Sequence, residues 1–590
     1  MSDRSAYLQA ATQLRGNPGQ WAAYESAGHC VVLAGPGSGK TKTLTTKMAR
    51  MLAEDVHTPR GIACITYNNE CARELEDRLA ALGVEQDRRI FIGTVHSFSL
   101  TQIILPYAQT AGLGLPASFA VATRAERQAA LAEALGRAEI PQGLEFRLGI
   151  YRRTYLNREL PEWRNSDPDL AALIERYEAS LRRRGRIDYD DMPLLAIRAL
   201  RANPWLQRAL LAKFPILVVD EYQDLGAALH RMVMGLCFSV GMRLFAVGDV
   251  DQSIYGFTGA RPDLLQRLSE RDDVETVRLR LNYRSGDRIV AAAGVALGAD
   301  RNYEAADADA EGAIFIHPME GNYDQQARRA LQDLLAQARA RHPDFSLRDL
   351  AVLYPAAWIG DSLAAAAQAL GIAYVRTDTN ALYPRSSRIM QWLEACAQWC
   401  CGGWRIGAPR LSRIIREGKR LFDKAIITEE SELNFHRRLV AVLWGNRDAN
   451  TILRDWLTQM TKEVVQSFAI DDAALRDELD ILAEFSERLA PGADHQNMVL
   501  GELAGDGVYV DRLTLSTLHS AKGREFGIVF MFGMDNGRIP RNGASNNERA
   551  EARRLFYVGM TRAKREIHLL HTTGRESIFV TEIDQHLADE

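Results

Sequence analysis

The first residues in the chain with evident chemistry are a lysine, a threonine and a run of glycines. The segment VVLAGPGSGKTKTL, Val31 to Leu44, sets an apolar β-branched run, a glycine-rich turn and a helical start in succession. It meets the pattern Gly-x4-Gly-Lys-Ser/Thr with Ala34 at the first position, then Gly35, Pro36, Gly37, Ser38, Gly39, Lys40 and Thr41. Glycines let backbone N–H groups close around a triphosphate at a helix N-terminus. Lys40 would bridge the outer phosphates and the Thr41 hydroxyl would ligate magnesium. A second segment, PILVVDEYQD, leads four apolar residues directly into Asp220 and Glu221. One acid can hold a magnesium ion while its neighbour orients or deprotonates an attacking water.

A third segment, GDVDQSIYGFTGA from Gly248 to Ala260, combines two acids and Gln252 with Tyr255 and Phe257 and leaves little to bury. Acids and a glutamine suit a metal-phosphate site. A short row of aromatic rings on a polar loop suits a surface on which something flat stacks.

Elements that could position these groups are legible in the hydrophobic pattern. HCVVLAG, GIACITY, RIFIGTV, PILVVDE and RLFAVGD form one series of short apolar runs, and VRLRLNY, GAIFIHP, LAVLYPA, LTLSTLH, GIVFMFG and REIHLLH a second. Buried strands separated by helices predict parallel sheets with crossover connections, so the two series predict two α/β cores. Two Ala/Leu/Arg/Glu-rich tracts, from about Leu105 to Arg186 and from about Ser386 to Asp511, read as helical insertions. No internal repeat is present, and ADADAEG near Asp307 reads as a short acidic turn.

Length and composition bound the possibilities. With 590 residues, 47% hydrophobic and 25% charged, the chain is too long for one core and has a soluble globular composition. A formal net charge of -4 means that any positive surface for a polyanion must be local. LRRRGR, Leu181 to Arg186, is one candidate, although taken alone it reads better as a solvated helix end. The 7 cysteines include no CxxC pair and read as core thiols in a reducing compartment. His568 and His571 are spaced to face opposite sides of a strand, which argues against a shared metal. Without a signal-like N-terminus or a window of about 18 apolar residues, a cytoplasmic protein with no membrane partner is expected.

Nine motifs in order carry a resemblance that runs almost from end to end. They are NPGQ (Asn17 to Gln20), AGPGSGKT, TYNNECA (Thr66 to Ala72), GTVHSF (Gly93 to Phe98), VVDEYQD, GDVDQSIYGFTGA, NYRS (Asn282 to Ser285), TLHSAKGREF (Thr517 to Phe526) and RRLFYVGMTRAK (Arg553 to Lys564). In these the chain resembles the UvrD/Rep/PcrA group of superfamily 1 DNA helicases. The resemblance implies ATP and Mg2+ as cofactors and two RecA-like P-loop cores with parallel sheets, each carrying a mainly helical insertion. The first core would comprise 1–104 and 187–277 around the insertion 105–186. The second would comprise 278–385 and 512–590 around a shortened insertion, 386–511.

Site roles follow from the same resemblance. Gln20 would read the adenine, Tyr283 stack on it and Glu525 contact the ribose, with Lys42 beside the base where the family usually has arginine, a better planar stacker. Gln252 would sense the γ-phosphate, and Arg284 and Arg562 would reach the same phosphate from the second core. An arginine so placed is worth about 10³- to 10⁵-fold in rate, and a site completed by domain closure couples hydrolysis to motion. Tyr67, Asn69, His96, Tyr255, Phe257 and His519 match the family's DNA-facing positions. On this resemblance one face of the third segment's loop would serve the nucleotide, the other a DNA base.

The resemblance implies an ATP-dependent helicase that moves 3'-to-5' on single-stranded DNA and opens tailed duplex, in repair, replication, mobile-element or phage-defence settings. The alternative is a DNA-gated ATPase that works with a nuclease or other effector. It draws on the shortened insertion and on the end of the sequence soon after Lys564, which leaves no room for a nuclease module or a partner-binding tail. A third feature favours it: the family usually ends the aromatic loop Trp-Arg-Gly-Ala, whereas this chain has Phe257, Thr258, Gly259 and Ala260, with Arg261 as a candidate replacement for the lost cation. Less stacking surface and one cation fewer predict a weaker hold on DNA. Phe257→Trp combined with Thr258→Arg is therefore expected to tighten single-strand binding severalfold by fluorescence anisotropy; unchanged affinity would overturn that reading of the loop.

Overall fold

The computed structural model describes residues 4–84, 87–307, 310–469, 475–505 and 511–589. Part of the acidic turn near Asp307, part of the second helical tract and the first three residues of the N-terminus lie outside the described residues. Packing divides the chain into two compact units. One comprises Met1–Ile314, Ile539–Glu566 and Ile578–Glu590, the other Phe315–Arg538 and Ile567–Ser577. The fold is α/β, built on two RecA-like parallel-sheet cores.

The first unit is organised by a six-stranded sheet. Its strands are β1 (Cys30–Ala34), β2 (Ile62–Thr66), β3 (Ile90–Thr94), β4 (Ile216–Val219), β5 (Arg243–Gly248) and β6 (Glu275–Leu279), in the order β3-β2-β4-β5-β1-β6, all pairs parallel. Successive residues feed opposite cores. Val31, Ala63, Ile65, Leu217, Val219, Leu244 and Ala246 pack into one layer, whereas Cys30, Val32, Ile62, Cys64, Ile216, Val218, Phe245 and Val247 pack into the other. A sheet covered on both faces needs apolar residues at every position, which is why these strands read as unbroken apolar runs.

The run VRLRLNY, expected to open the second series, instead supplies β6, the edge of this first sheet, paired along Cys30–Ala34. Its alternation of half-buried Thr276 and exposed Arg278 with buried Val277 and Leu279 is that of an edge strand with one covered face.

Helices α1 (Pro18–Glu25) and α2 (Lys40–Arg50) flank β1. The first helical tract contains α3 (Leu144–Thr154) and a 16-residue helix, Pro168–Arg183, around Trp163, Ile174 and Leu181. The arginines of LRRRGR are engaged with acids: Arg182 with Asp191, Arg183 and Arg184 with Glu133, and Arg186 with Glu126. Late in the sequence, α4 (Asn546–Met560) returns to this unit, opened by a Ser545–Glu548 capping box and packed through Phe556 on Phe579.

The second sheet contains β7 (Ala313–Met319), β8 (Leu350–Tyr354), β9 (Tyr374–Arg376), β10 (Leu513–Thr517), β11 (Phe526–Phe532) and β12 (Ala563–Thr572), in the order β7-β12-β11-β8-β10-β9. The pairs of β8 with β10 and β11, and of β9 with β10, are parallel. Its helical tract has its own core around Trp392, Phe435, Leu443, Trp456 and Phe485. Cys396, Cys400 and Cys401 are buried in that core as free thiols. His568 on β12 pairs its ring nitrogen with His317 at 2.9 Å, and among the described residues no group of three His, Cys, Asp or Glu could hold a metal ion. No helix among them is long and apolar enough to cross a membrane.

Candidate nucleotide and nucleic-acid site

A parallel sheet delivers every strand's carboxyl end to the same edge, which is where open α/β sheets bind ligands. At that edge of the first unit, β1 runs into the glycine turn, β4 into Asp220, β5 into Asp249, β2 into Tyr67 and β3 into the helix that bears His96. The sequence motifs are therefore the successive strand ends of one sheet.

In the glycine turn, Gly37 and Gly39 take left-handed φ values of 66° and 76°. A side chain at Gly37 would meet Asn282 Oδ1 at 2.3 Å, and one at Gly39 would meet Gln20 Nε2 at 2.5 Å. Ala34 is the last residue of β1, and the left-handed turn begins only after it. The turn is braced from α1 and from NYRS. Gln20 Nε2 donates to the Ser38 carbonyl at 2.8 Å, the Tyr283 N–H donates to the Gly37 carbonyl at 2.8 Å, and Asn17 Nδ2 donates to the Tyr283 hydroxyl at 3.0 Å. Tyr283 is 53% exposed, so its ring is open for stacking.

Lys40, at the first turn of α2, pairs with Glu221 Oε1 at 2.6 Å. Burial lowers the lysine pKa, but the carboxylates of Glu221, Asp220 and Asp249 outweigh it and hold the ammonium charged. Glu221 adopts a left-handed φ of 50°, a conformation costly for a non-glycine residue and frequent at functional sites. Burial, reinforced by the Glu221 charge, pushes Asp220 up to about 7. Asp249 is also pushed up to about 7, by burial and then by Asp251.

From Asp249 a buried chain of contacts leads to α4. Asp249 accepts from Gln252 Nε2 at 2.6 Å, and Gln252 Oε1 accepts from Arg562 Nη2 at 3.1 Å. Arg562 is anchored to the last turn of α4 by donating from Nε to the Val558 carbonyl at 2.9 Å. Arg284 donates to the Thr561 carbonyl at 3.0 Å. Burial, with the neighbouring Arg284 charge, drops Arg562 to about 9. Two guanidinium groups held this close favour an anion between them, which is the charge a triphosphate brings. By packing, both arginines belong to the unit of the first sheet.

The other face of the aromatic loop carries a row of rings. Tyr67 stacks on Tyr255 at 4.8 Å and 20°, Tyr255 lies 6.1 Å from Phe257, and Phe257 lies 6.5 Å from Phe146 of α3. Phe257 and Phe146 are 46% and 49% exposed. His96 meets Tyr189 edge-on at 6.1 Å, and Asn69 is exposed at the start of its helix. Arg261 is held by Asp263 through two contacts of 2.8 Å; Arg153 of α3 brings a cation to the ring-bearing end of the loop, donating to the Thr258 carbonyl at 3.0 Å. His519 and the exposed Glu525 belong to the second unit, in the turn between β10 and β11.

Comparison with known families agrees with this geometry. Residues 16–273 match the UvrD/REP helicase N-terminal domain and residues 495–573 the UvrD-like helicase C-terminal domain. The chain belongs to the UvrD-like helicase family. It is 27% identical to the ATP-dependent DNA helicase Rep of Escherichia coli (strain K12), over 94% of this chain and 90% of that one. It is also 27% identical to the ATP-dependent DNA helicase UvrD1 of Mycobacterium tuberculosis (strain ATCC 25618 / H37Rv), over 95% and 83%. Against the ATP-dependent DNA helicase PcrA of Staphylococcus aureus (strain Mu50 / ATCC 700699) the identity is 25%, over 93% and 82%.

Several residues of this UvrD-like helicase join the site without a motif to announce them. Arg301 grips Asp251 through two contacts of 2.7 and 2.8 Å, and the Tyr303 ring covers Gly35 so closely that a Cβ there would meet it at 2.4 Å. Phe146 and Arg153 are seven apart on α3, a spacing that puts both on one helix face and could have paired them in the sequence. Glu551, just ahead of the RRLFYVGMTRAK motif, contacts the backbone of the aromatic loop, as does Arg554 inside that motif.

The residues present fit a magnesium ion. Asp220 Oδ1 is buried without a hydrogen-bond partner, and the hydroxyls of Thr66 and Tyr557 are buried and unpartnered too. An orphaned carboxylate oxygen is costly unless a ligand completes it.

These acids make stability pH-dependent. A carboxyl whose folded pKa is raised keeps a proton that the unfolded chain has already released, so its burial costs stability progressively from about pH 4 to about pH 7. In nucleotide-free protein the melting temperature of Asp220→Asn relative to the parent is therefore expected to rise by a few degrees between about pH 5 and about pH 8. Differential scanning fluorimetry across that range checks it, and a constant difference contradicts the raised pKa.

Proposed function

We propose that the protein is a DNA-stimulated ATP hydrolase that moves along single-stranded DNA in the 3'-to-5' sense and separates tailed duplex in the cytoplasm. The observation that carries this reading is the loop 248–260. Its Gln252 is bonded to Arg562 beside Lys40 and the acids, while its Tyr255 and Phe257 belong to the exposed ring row. A change in the charge held by Arg562 is thus one short loop away from the rings. The direction of movement rests on family membership alone.

In this reading the glycine turn and Lys40 hold the β- and γ-phosphates, Tyr283 stacks on the base, and Gln20 fixes the turn that lies beneath it. Thr41 and Asp220 would hold Mg2+, which supplies neutralisation of phosphate charge. Glu221 exchanges its bond to Lys40 for one to the attacking water and accepts the water's proton. Arg284 and Arg562 take up charge spreading onto the γ-phosphate oxygens, and burial with the Arg284 charge has already lowered the Arg562 pKa. Tyr67, Tyr255, Phe257 and His96 give bases a stacking surface, where each base contributes about 1–3 kcal/mol without regard to sequence. Asn69 and His519 are assigned to the DNA on the family pattern, and Glu525 to the ribose.

Strand separation of a 3'-tailed duplex by the purified protein is the deciding assay, with a 5'-tailed duplex and Lys40→Ala as controls. ATP-dependent opening of the 3'-tailed substrate alone, reduced at least a hundredfold by Lys40→Ala, is expected. ATP hydrolysis stimulated by single strands without any opening would instead assign a translocase that depends on a nuclease or other effector.

A further inference from the structure

The aromatic loop is held from behind at two points that bracket Tyr255. Glu551 Oε1 accepts from the Gly256 N–H at 3.0 Å, and Arg554 Nε donates to the Ser253 carbonyl at 2.7 Å. Between these grips, Ile254 is fully buried. The fit around Gly256 is tight, since a Cβ there would meet Glu551 Oε2 at 2.9 Å.

Both grips come from α4, and α4 is fixed in its unit. Arg553, between them in sequence, donates to the Ala296 carbonyl at 3.1 Å and pairs with Glu582 at 2.6 and 2.8 Å. Phe556 is fully buried against Phe579. Val558, in the last turn of the same helix, holds Arg562 through its carbonyl, and Arg562 in turn contacts Gln252 at the start of the loop. Glu551, Arg554 and Val558 lie at spacings of three and four residues, so they share one face of α4. A single rigid element thus touches the loop at three places: Gln252 through Arg562, Ser253 through Arg554 and Gly256 through Glu551.

We propose that Glu551 is a positioning residue that clamps the ring-bearing loop to α4, with Arg554 as its partner, so that the nucleotide-dependent position of Arg562 sets the presentation of Tyr255 and Phe257 to a single strand. This rests on the proposed function. Without Glu551, a shift of α4 would enter the loop at Gln252 and Ser253, ahead of the rings, while Arg153 of α3 still holds Thr258. The acid acts as an acceptor of backbone N–H groups, so its charge is dispensable where its acceptor oxygen is kept. Burial, only partly offset by the Gly256 N–H, raises its pKa, which agrees with a role that does not need a free carboxylate.

The test is the ratio of single-strand dissociation constants with and without a non-hydrolysable ATP analogue, measured by fluorescence anisotropy on the full chain. A ratio of about fivefold or more is expected for the parent. Glu551→Ala should bring it to within about twofold of unity while analogue affinity and melting temperature stay near those of the parent. Glu551→Gln, which keeps an acceptor oxygen, should restore the parent ratio. Gly256→Ala, which crowds the same contact from the loop side with no left-handed strain, should lower the ratio as Glu551→Ala does, and it decides the matter if Glu551→Ala fails to fold. A parent ratio that persists in Glu551→Ala or Gly256→Ala overturns the clamp. A parent protein whose single-strand affinity ignores the analogue overturns the reading on which the clamp rests.

Discussion

A guanidinium taken out of water must be surrounded by acceptors, and Arg562, 2% exposed, is where this requirement shapes the site. Among its acceptors are the Val558 carbonyl, the Thr561 hydroxyl and Gln252 Oε1. Burial and the Arg284 charge lower its pKa, while the carboxylates of Glu221 and Asp249 act the other way. Other parts of the site can be understood from this demand. Gln252 is oriented by Asp249, Asp249 is itself short of compensation, and the helix end that carries Arg562 is pinned to the sheet edge where Lys40 and Glu221 already pair.

The same edge holds the opposite imbalance a few residues away. Asp220 and Asp249 carry raised pKa values because burial costs them more than Lys40 returns. Excess buried cation at one end and excess buried acid at the other are each costly alone. A magnesium triphosphate has both signs of charge and would answer both. The left-handed Glu221 belongs to this picture, since its conformation places the carboxylate on Lys40. The strain of the site is concentrated in the groups assigned to hydrolysis.

How much of this was legible in the sequence depended on how each residue reaches the site. Strands buried on both faces announce themselves as apolar runs, and two of those runs lead into the glycine turn and Asp220 as the sequence predicts. VRLRLNY was assigned to the wrong series because an edge strand alternates polar and apolar residues, and nothing local says which sheet it edges. The three-residue strand Tyr374–Arg376 was too short to show any period. Tyr303, Arg301 and Phe146 come from segments whose local pattern is ordinary, and only the tertiary fold brings them to Gly35, Asp251 and Phe257. LRRRGR shows the converse case. Its cations look solvated in the sequence, while the acidic partners Glu133 and Glu126 lie 50 to 60 residues earlier.

That pairing of the LRRRGR arginines bears on the thermodynamic character of the strand complex. Arginines already paired with Glu133, Asp191 and Glu126 would displace few of the cations condensed on a phosphate backbone. In the proposed function the rings then carry a larger share of the hold on a strand, through contacts that ions do not screen. Under that reading these four arginines add little to the entropy of displaced salt.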